Sequence, residues 1–246
     1  KARSKNRRIF RNKVELNVCS IQESNSLIDN GQLTMDNSIR EFLCRGDLRS
    51  PETENIILKD DVDYLIEVFQ DAKEYGSILD VKKIDFDAIE RRIEEIRNGD
   101  TLDLYELQYR EVILEKLPSL IKQGRIMSQK YDVVCTNPPY MGNGGMENEL
   151  IKYLKVNYPN TKNDMSTVFM EKCIDYCLYS GYMAMINIPS WMFLSSYELM
   201  RNNIIKNNSF INLIHLGRGI FGSDFGTTCF VIMKSHFSNY IGSYRR

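Results

Sequence analysis

Pro138 and Pro139 follow directly on Asn137, at the end of the apolar run Tyr131-Asp132-Val133-Val134-Cys135-Thr136. Proline gives no N–H to a sheet ladder, so two in a row cannot prolong a strand. The run is predicted to be a buried strand that stops abruptly in a rigid turn. That turn holds an amide (Asn137), a carbonyl without a local partner (Pro138) and an aromatic ring (Tyr140). A flat heterocycle with an exocyclic amine needs such a set: acceptors for its N–H hydrogens and a face to stack on. An ordinary strand-end turn is the alternative reading, because Asn-Pro and Pro-Pro are common turn dipeptides.

The residues around this turn alternate between strand and helix patterns. Strands are predicted at Tyr131–Thr136, Tyr182–Ile188, Phe210–Leu216 and Thr227–Met233. Between them, Asp164 or Ser166 caps a helix with the apolar face Val168, Phe169, Cys173, Tyr176 and Cys177, stopped by Gly181. A second helix lies around Ser196–Asn207. This alternation predicts an α/β fold with a largely parallel sheet, buried on both faces between helices.

The earlier residues differ. Residues 14–27 read as a strand (Val14, Leu16, Val18) leaving through the polar cluster Gln22-Glu23-Ser24-Asn25, a place where α/β folds put ligand groups. Residues 30–128 are mostly helical. Val62, Leu65, Ile66, Phe69 and Ala72 recur at helical spacing. Ile89, Ile93 and Ile96 do likewise, with Asp87 and Glu90 as a capping pair. Tyr105, Tyr109, Val112 and Ile113 mark a further helix, interrupted near Pro118. The predicted organisation is a partial core at 1–29, a helical insertion at 30–128 and a catalytic core at 129–246.

Net charge is −1, so charge alone announces no nucleic acid, although residues 1–13 carry seven basic residues and no acidic one. That run is a frayed terminus or a phosphate-contacting face. Six cysteines form no CxxC pair and only two histidines are present, which argues for reduced core thiols and against a metal site. No signal peptide or membrane-spanning run is evident, so a cytoplasmic location is expected.

Thr136-Asn137-Pro138-Pro139-Tyr140 resembles the catalytic motif of amino-group DNA methyltransferases in the adenine-N6 form. The likeness extends over nearly the whole chain. It includes Lys1–Phe10, the Gln22-Glu23-Ser24 stretch, Asp71 with Tyr75-Gly76-Ser77, and Met141-Gly142. It continues through Lys162-Asn163-Asp164, Ile188-Pro189-Ser190-Trp191 and Gly226-Thr227-Thr228. These blocks are similar to type IIG restriction enzymes and most of all to the adenine methyltransferases of BREX phage-defence systems.

The resemblance implies a partial Rossmann-like class I methyltransferase fold with a helical insertion. It implies S-adenosylmethionine as cofactor, double-stranded DNA as substrate and other phage-defence subunits as partners. Asn137 and the Pro138 carbonyl would accept hydrogen bonds from the target amine, with Pro139 fixing the turn. Tyr140 would stack on the flipped base, and Phe221 or Phe225 would form a second wall. Gln22 and Glu23 would meet the cofactor's adenine. Asp164, with Asn137, would border its methionine end. Trp191 reads as a loop packing residue.

Two expected parts of this family are missing: a glycine-rich loop after its first strand and an acidic residue ending the next. Gly142, Gly144 and Gly145 come after the motif, and Gly217 and Gly219 later still. The chain is therefore expected to be the middle of a larger enzyme, inactive by itself and prone to self-association through an exposed sheet edge. Two other readings stay open: a protein-glutamine methyltransferase, which shares the motif, and a non-catalytic DNA-binding or specificity module.

Overall fold

The computed structural model describes residues 17–29, 32–33, 37–45, 52–100, 103–220 and 226–246. Val14, Leu16, the basic stretch Lys1–Lys13 and the candidates Phe221 and Phe225 lie outside the described residues. The chain divides into two compact units, one of residues 1–73 and 82–126, the other of residues 74–81 and 127–246.

The first unit is helical. A two-stranded antiparallel ribbon, β1 (Ile28–Asp29) and β2 (Gln32–Leu33), precedes helices α1 (Asn37–Cys44) and α2 (Glu52–Val68). A short helix, α3 (Ala72–Tyr75), falls at the division, and α4 (Phe86–Asn98) and α5 (Leu104–Ser128) follow. Val62, Leu65, Ile66, Phe69 and Ala72 are all buried, as their spacing requires. Ile89, Ile93 and Ile96 of α4 are buried too, as are Ile113, Leu117, Leu120 and Ile121 of α5.

Three expectations are corrected here. Helix α5 runs unbroken through Pro118. An internal proline costs about 3 kcal/mol, and burial of Leu117, Leu120 and Ile121 around it offsets that cost. The cap of α4 is Asp85, whose side chain accepts from the Ala88 N–H; Asp87 and Glu90 instead hold Arg125 at 2.8 and 2.7 Å. Asp85 precedes the first helical residue, where only a cap can reach the free N–H groups.

The third correction concerns residues 17–24, which form no strand. An extended segment becomes a strand only with a ladder partner, and this one bonds to helices. The Gln22 backbone N–H donates to the Gln123 side-chain oxygen at 2.7 Å, and the Gln123 amide returns a bond to the Gln22 carbonyl at 3.1 Å. Ser24 donates through its hydroxyl to Ile66 and through its N–H to Phe69.

The second unit holds a five-stranded sheet of β3 (Tyr131–Thr136), β4 (Cys177–Asn187), β5 (Ser209–Gly217), β6 (Thr227–Met233) and β7 (Ser243–Arg245). Their order is β3-β4-β6-β5-β7. β3 is parallel to β4, β7 is parallel to β5, and β6 is antiparallel to both of its neighbours. Strand direction is thus mostly parallel, with β6 reversed. The reversal follows from the short link 218–226 between β5 and β6, because a parallel return needs a longer crossover.

Helices α6 (Asn148–Asn157), α7 (Met165–Tyr176) and α8 (Glu198–Asn207) complete the unit. Val134, Met183, Ile232 and Phe210 stand in register across four strands. This row joins Met185 and Phe230 in a core with Met170, Cys173, Met200 and Ile204 of the helices. The strands are buried on alternate residues, not on both faces: Val133 is 62% and Tyr182 41% exposed. β3 ends the sheet with a partner on one side only among the described strands, so the expected buried strand is an edge.

Gly181 does not stop a helix. α7 ends at Tyr176, and Gly181 lies inside β4. A Cβ there would sit 3.0 Å from the carbonyl oxygens of Tyr131, Asp132 and Leu178, so close backbone approach demands glycine. Residues 74–81 are fastened within this unit. The Tyr158 hydroxyl donates to the Ile78 carbonyl at 2.6 Å and that of Tyr176 to Ser77 at 2.8 Å. No helix among the described residues is long and apolar enough to cross a membrane.

Candidate functional site

The proline pair ends β3 where the sequence places it, and the chain leaves the sheet edge through Asn137–Tyr140. Pro138 is buried, Asn137 and Pro139 are exposed, and Tyr140 is half-buried. The Tyr140 hydroxyl donates to Oδ1 of Asn137 at 2.7 Å and lies 3.3 Å from the Ile186 carbonyl. The amide oxygen is thereby fixed and keeps a second lone pair for another donor. Burial pushes the Tyr140 pKa up, so the hydroxyl stays protonated and remains a donor.

The next residues join this turn to α7. The Met165 N–H donates to the Met141 carbonyl at 2.9 Å, and Gly142 pairs with Asp164 in an antiparallel bridge. Asp164 is the N-cap of α7, which resolves the choice between it and Ser166. Its Oδ1 accepts from the Ser166 N–H at 2.8 Å and the Ser166 hydroxyl at 2.6 Å. Oδ2 takes no part in the cap, and Asp164 is almost wholly buried.

Behind them, Asn187 ties three elements together. It is fully buried at the end of β4; its side-chain amide donates to the Ser166 carbonyl and accepts from the Ile188 N–H at 2.7 Å, and its backbone carbonyl accepts from the Thr228 hydroxyl at 3.0 Å. A buried amide so fully engaged fixes α7, β4 and β6 in one arrangement.

Tyr140 and Asp164 open into a cavity of about 400 Å³. Pro189, Ser190 and Phe193 line it from the segment after β4, and Arg218 and Gly226 from the ends of the β5–β6 link. Asn137 is not a wall of this cavity; its connection is the hydrogen bond from Tyr140. Trp191 is buried and stacked on Phe210 with ring centroids 6.0 Å apart, so it is a packing residue. A separate apolar cavity of about 400 Å³ between α8, β5 and residues 236–244 contains none of the expected site residues.

Gln22 and Glu23 belong to the other unit. The Glu23 carboxylate accepts from the Lys73 backbone N–H at 3.2 Å and from its ammonium at 3.1 Å. The Gln22 side chain donates to the Ser20 hydroxyl at 2.7 Å. Among the described residues no cluster of three histidine, cysteine or acidic side chains could hold a metal ion.

Sequence reasoning missed Phe193, Arg218 and Asn187. Asn187 had a signal, as a lone amide in an otherwise apolar strand. Arg218 had one as well, because Gly217 and Gly219 flank it with φ +80° and +79°, a conformation that favours glycine.

The family model described as Eco57I restriction-modification methylase matches residues 9–221. The chain is 33% identical, over 97% of its length, to the adenine-specific methyltransferase BrxX of Escherichia coli O9:H4 (strain HS). It is 34% identical, over 72% of its length, to the adenine-specific methyltransferase PglX of Lacticaseibacillus casei (strain Zhang). It spans 20% of the first of these relatives and 15% of the second. Among solved structures, a DrdV–DNA complex aligns with 48% of this chain and 15% of its own at 17% identity and a TM-score of 0.41.

Proposed function

The chain belongs to the Eco57I restriction-modification methylase family, and from that premise we propose that it carries the target-base site of an adenine-N6 DNA methyltransferase. The observation that carries this reading is the Tyr140–Asn137 hydrogen bond beside a cavity. It fixes one acceptor next to an aromatic ring that can stack on a base.

An aromatic amine is a weak nucleophile, because its lone pair is delocalised into the ring. Asn137 Oδ1 and the Pro138 carbonyl would accept its two N–H hydrogens and favour the pyramidal, cationic nitrogen over the flat ground state. Tyr140 would stack on the base once it has left the duplex, replacing the stacking lost there. Phe221 or Phe225 is proposed as a second wall. No residue need act as a strong base, since the proton can leave after methyl transfer. Arg218 puts a permanent positive charge at the cavity's rim, suited to a phosphate of the same strand.

S-adenosylmethionine, when bound, supplies a methyl group on a sulfonium. The residues present suit its methionine end: Asp164 lines the cavity and keeps one oxygen outside the cap, free to face an ammonium group. Gln22 and Glu23 are proposed at the cofactor's adenine. A cytoplasmic location, other phage-defence subunits as partners, and pairing of the exposed β3 edge with a second copy belong to the same reading. Family membership disfavours the protein-glutamine and binding-only alternatives.

The test is product identity. The full-length protein is incubated with labelled S-adenosylmethionine, unmethylated DNA and a glutamine-bearing protein substrate. Label in N6-methyladenine supports the reading, and label in glutamine alone overturns it.

A further inference from the structure

Phe193 is 70% exposed at the mouth of the cavity that holds Tyr140, and the next residue, Leu194, is 52% exposed. Lone exposed apolar residues are common and mean little. This pair is different because its backbone is locked. The Phe193 and Leu194 N–H groups both donate to the Ser190 carbonyl, at 3.1 and 3.0 Å. One guanidinium nitrogen of Arg201 holds the Trp191 and Leu194 carbonyls, at 2.9 and 2.6 Å, on either side of Phe193. Trp191 roots the segment in the core against Phe210 and Phe230. An apolar tip on so rigid a mount is prepared to enter something rather than to fold away.

We propose that Phe193, with Leu194 beside it, is the wedge that enters the DNA stack where the target base leaves it. This rests on the adenine-methyltransferase reading of the same cavity. Extruding a base leaves a gap between its former neighbours and costs stacking energy. Apolar side chains pushed between base steps are a general way to fill such a gap. Exposure favours this role over stacking deep in the base pocket, because Phe193 lines the cavity yet leaves 70% of its surface to solvent. The wedge acts on the duplex and not on the methyl transfer itself.

The experiment compares the full-length protein with its Phe193→Ala and Phe193→Met variants. The substrates are duplexes bearing the methylated site, mapped beforehand with the wild-type protein, with either thymine or a mismatched base opposite the target adenine. A mismatch lowers the cost of extrusion. On the paired duplex Phe193→Ala should lose roughly ten-fold in kcat/KM, with Phe193→Met close to wild type. On the mismatched duplex the Ala defect should largely vanish. A defect of equal size on both duplexes would overturn the wedge in favour of a base-contacting wall. Wild-type rates on both would remove Phe193 from recognition. A wild-type protein that methylates no DNA would refute the parent reading, a result distinct from either.

Discussion

The hydroxyl of Tyr140 donates to Oδ1 of Asn137 at 2.7 Å, across one turn of backbone fixed by two prolines. The ring and the hydroxyl of Tyr140 therefore have separable roles: one offers a face, the other orients the amide. Tyr140→Phe keeps the face. It should lower kcat for methyl transfer roughly ten-fold, the effect of one lost orienting hydrogen bond, and leave the melting temperature nearly unchanged. Single-turnover transfer measured beside thermal denaturation checks both halves.

Asp164 caps α7 through Oδ1 and keeps Oδ2 out of the cap. Asp164→Ser retains a capping oxygen, whereas Asp164→Ala should cost about 1 kcal/mol of stability. Both remove the charge. If Oδ2 serves the cofactor, both should weaken S-adenosylmethionine binding equally, although only the Ala variant is destabilised. Calorimetric titration and urea unfolding of the two variants separate the effects.

Arg218 stands at the cavity's rim between two left-handed glycines. Replacing it with Gln should weaken DNA binding and reduce the slope of log K against log salt by about 0.9, the signature of one lost phosphate contact. An unchanged slope would place Arg218 away from the phosphates.

Tyr158 and Tyr176 hold the carbonyls of residues 77 and 78, and burial raises both pKa values above the ordinary tyrosine range. Burial pushes neighbouring Tyr153 up to about 12. Folded pKa values above the unfolded value near 10 mean the folded state retains protons that the unfolded chain releases. The resulting stability is fully present below about pH 10 and is lost as pH rises through the folded values. Tyr158→Phe should be less stable at neutral pH and show a shallower alkaline decline. Denaturation midpoints between neutral and strongly alkaline pH measure this.

The turn at Asn137–Tyr140 was legible because proline's missing N–H ends a strand whatever surrounds it. β6 was legible residue for residue, since its apolar run is bounded by a glycine and a polar cluster. The helical stripes of α2 and α4 came through for the same local reason. What depends on distant partners did not. Whether residues 17–24 form a strand depends on a ladder neighbour, and here Gln123, Ile66 and Phe69 take their hydrogen bonds instead. Gly181 has the same meaning in any local reading, and only the approach of the Tyr131 and Asp132 carbonyls explains it. Nothing local separates Phe193 from Trp191, and the opposite burial of the two is set by tertiary packing.

Asn137→Ala in the full-length protein is the most direct check on the site. Transfer of labelled methyl from S-adenosylmethionine to unmethylated DNA is followed beside the wild type, with cofactor affinity and melting temperature as controls. Transfer as N6-methyladenine should fall at least roughly hundred-fold while both controls hold. Methylation by the Ala variant at the wild-type rate would contradict the assignment of the target amine to Asn137.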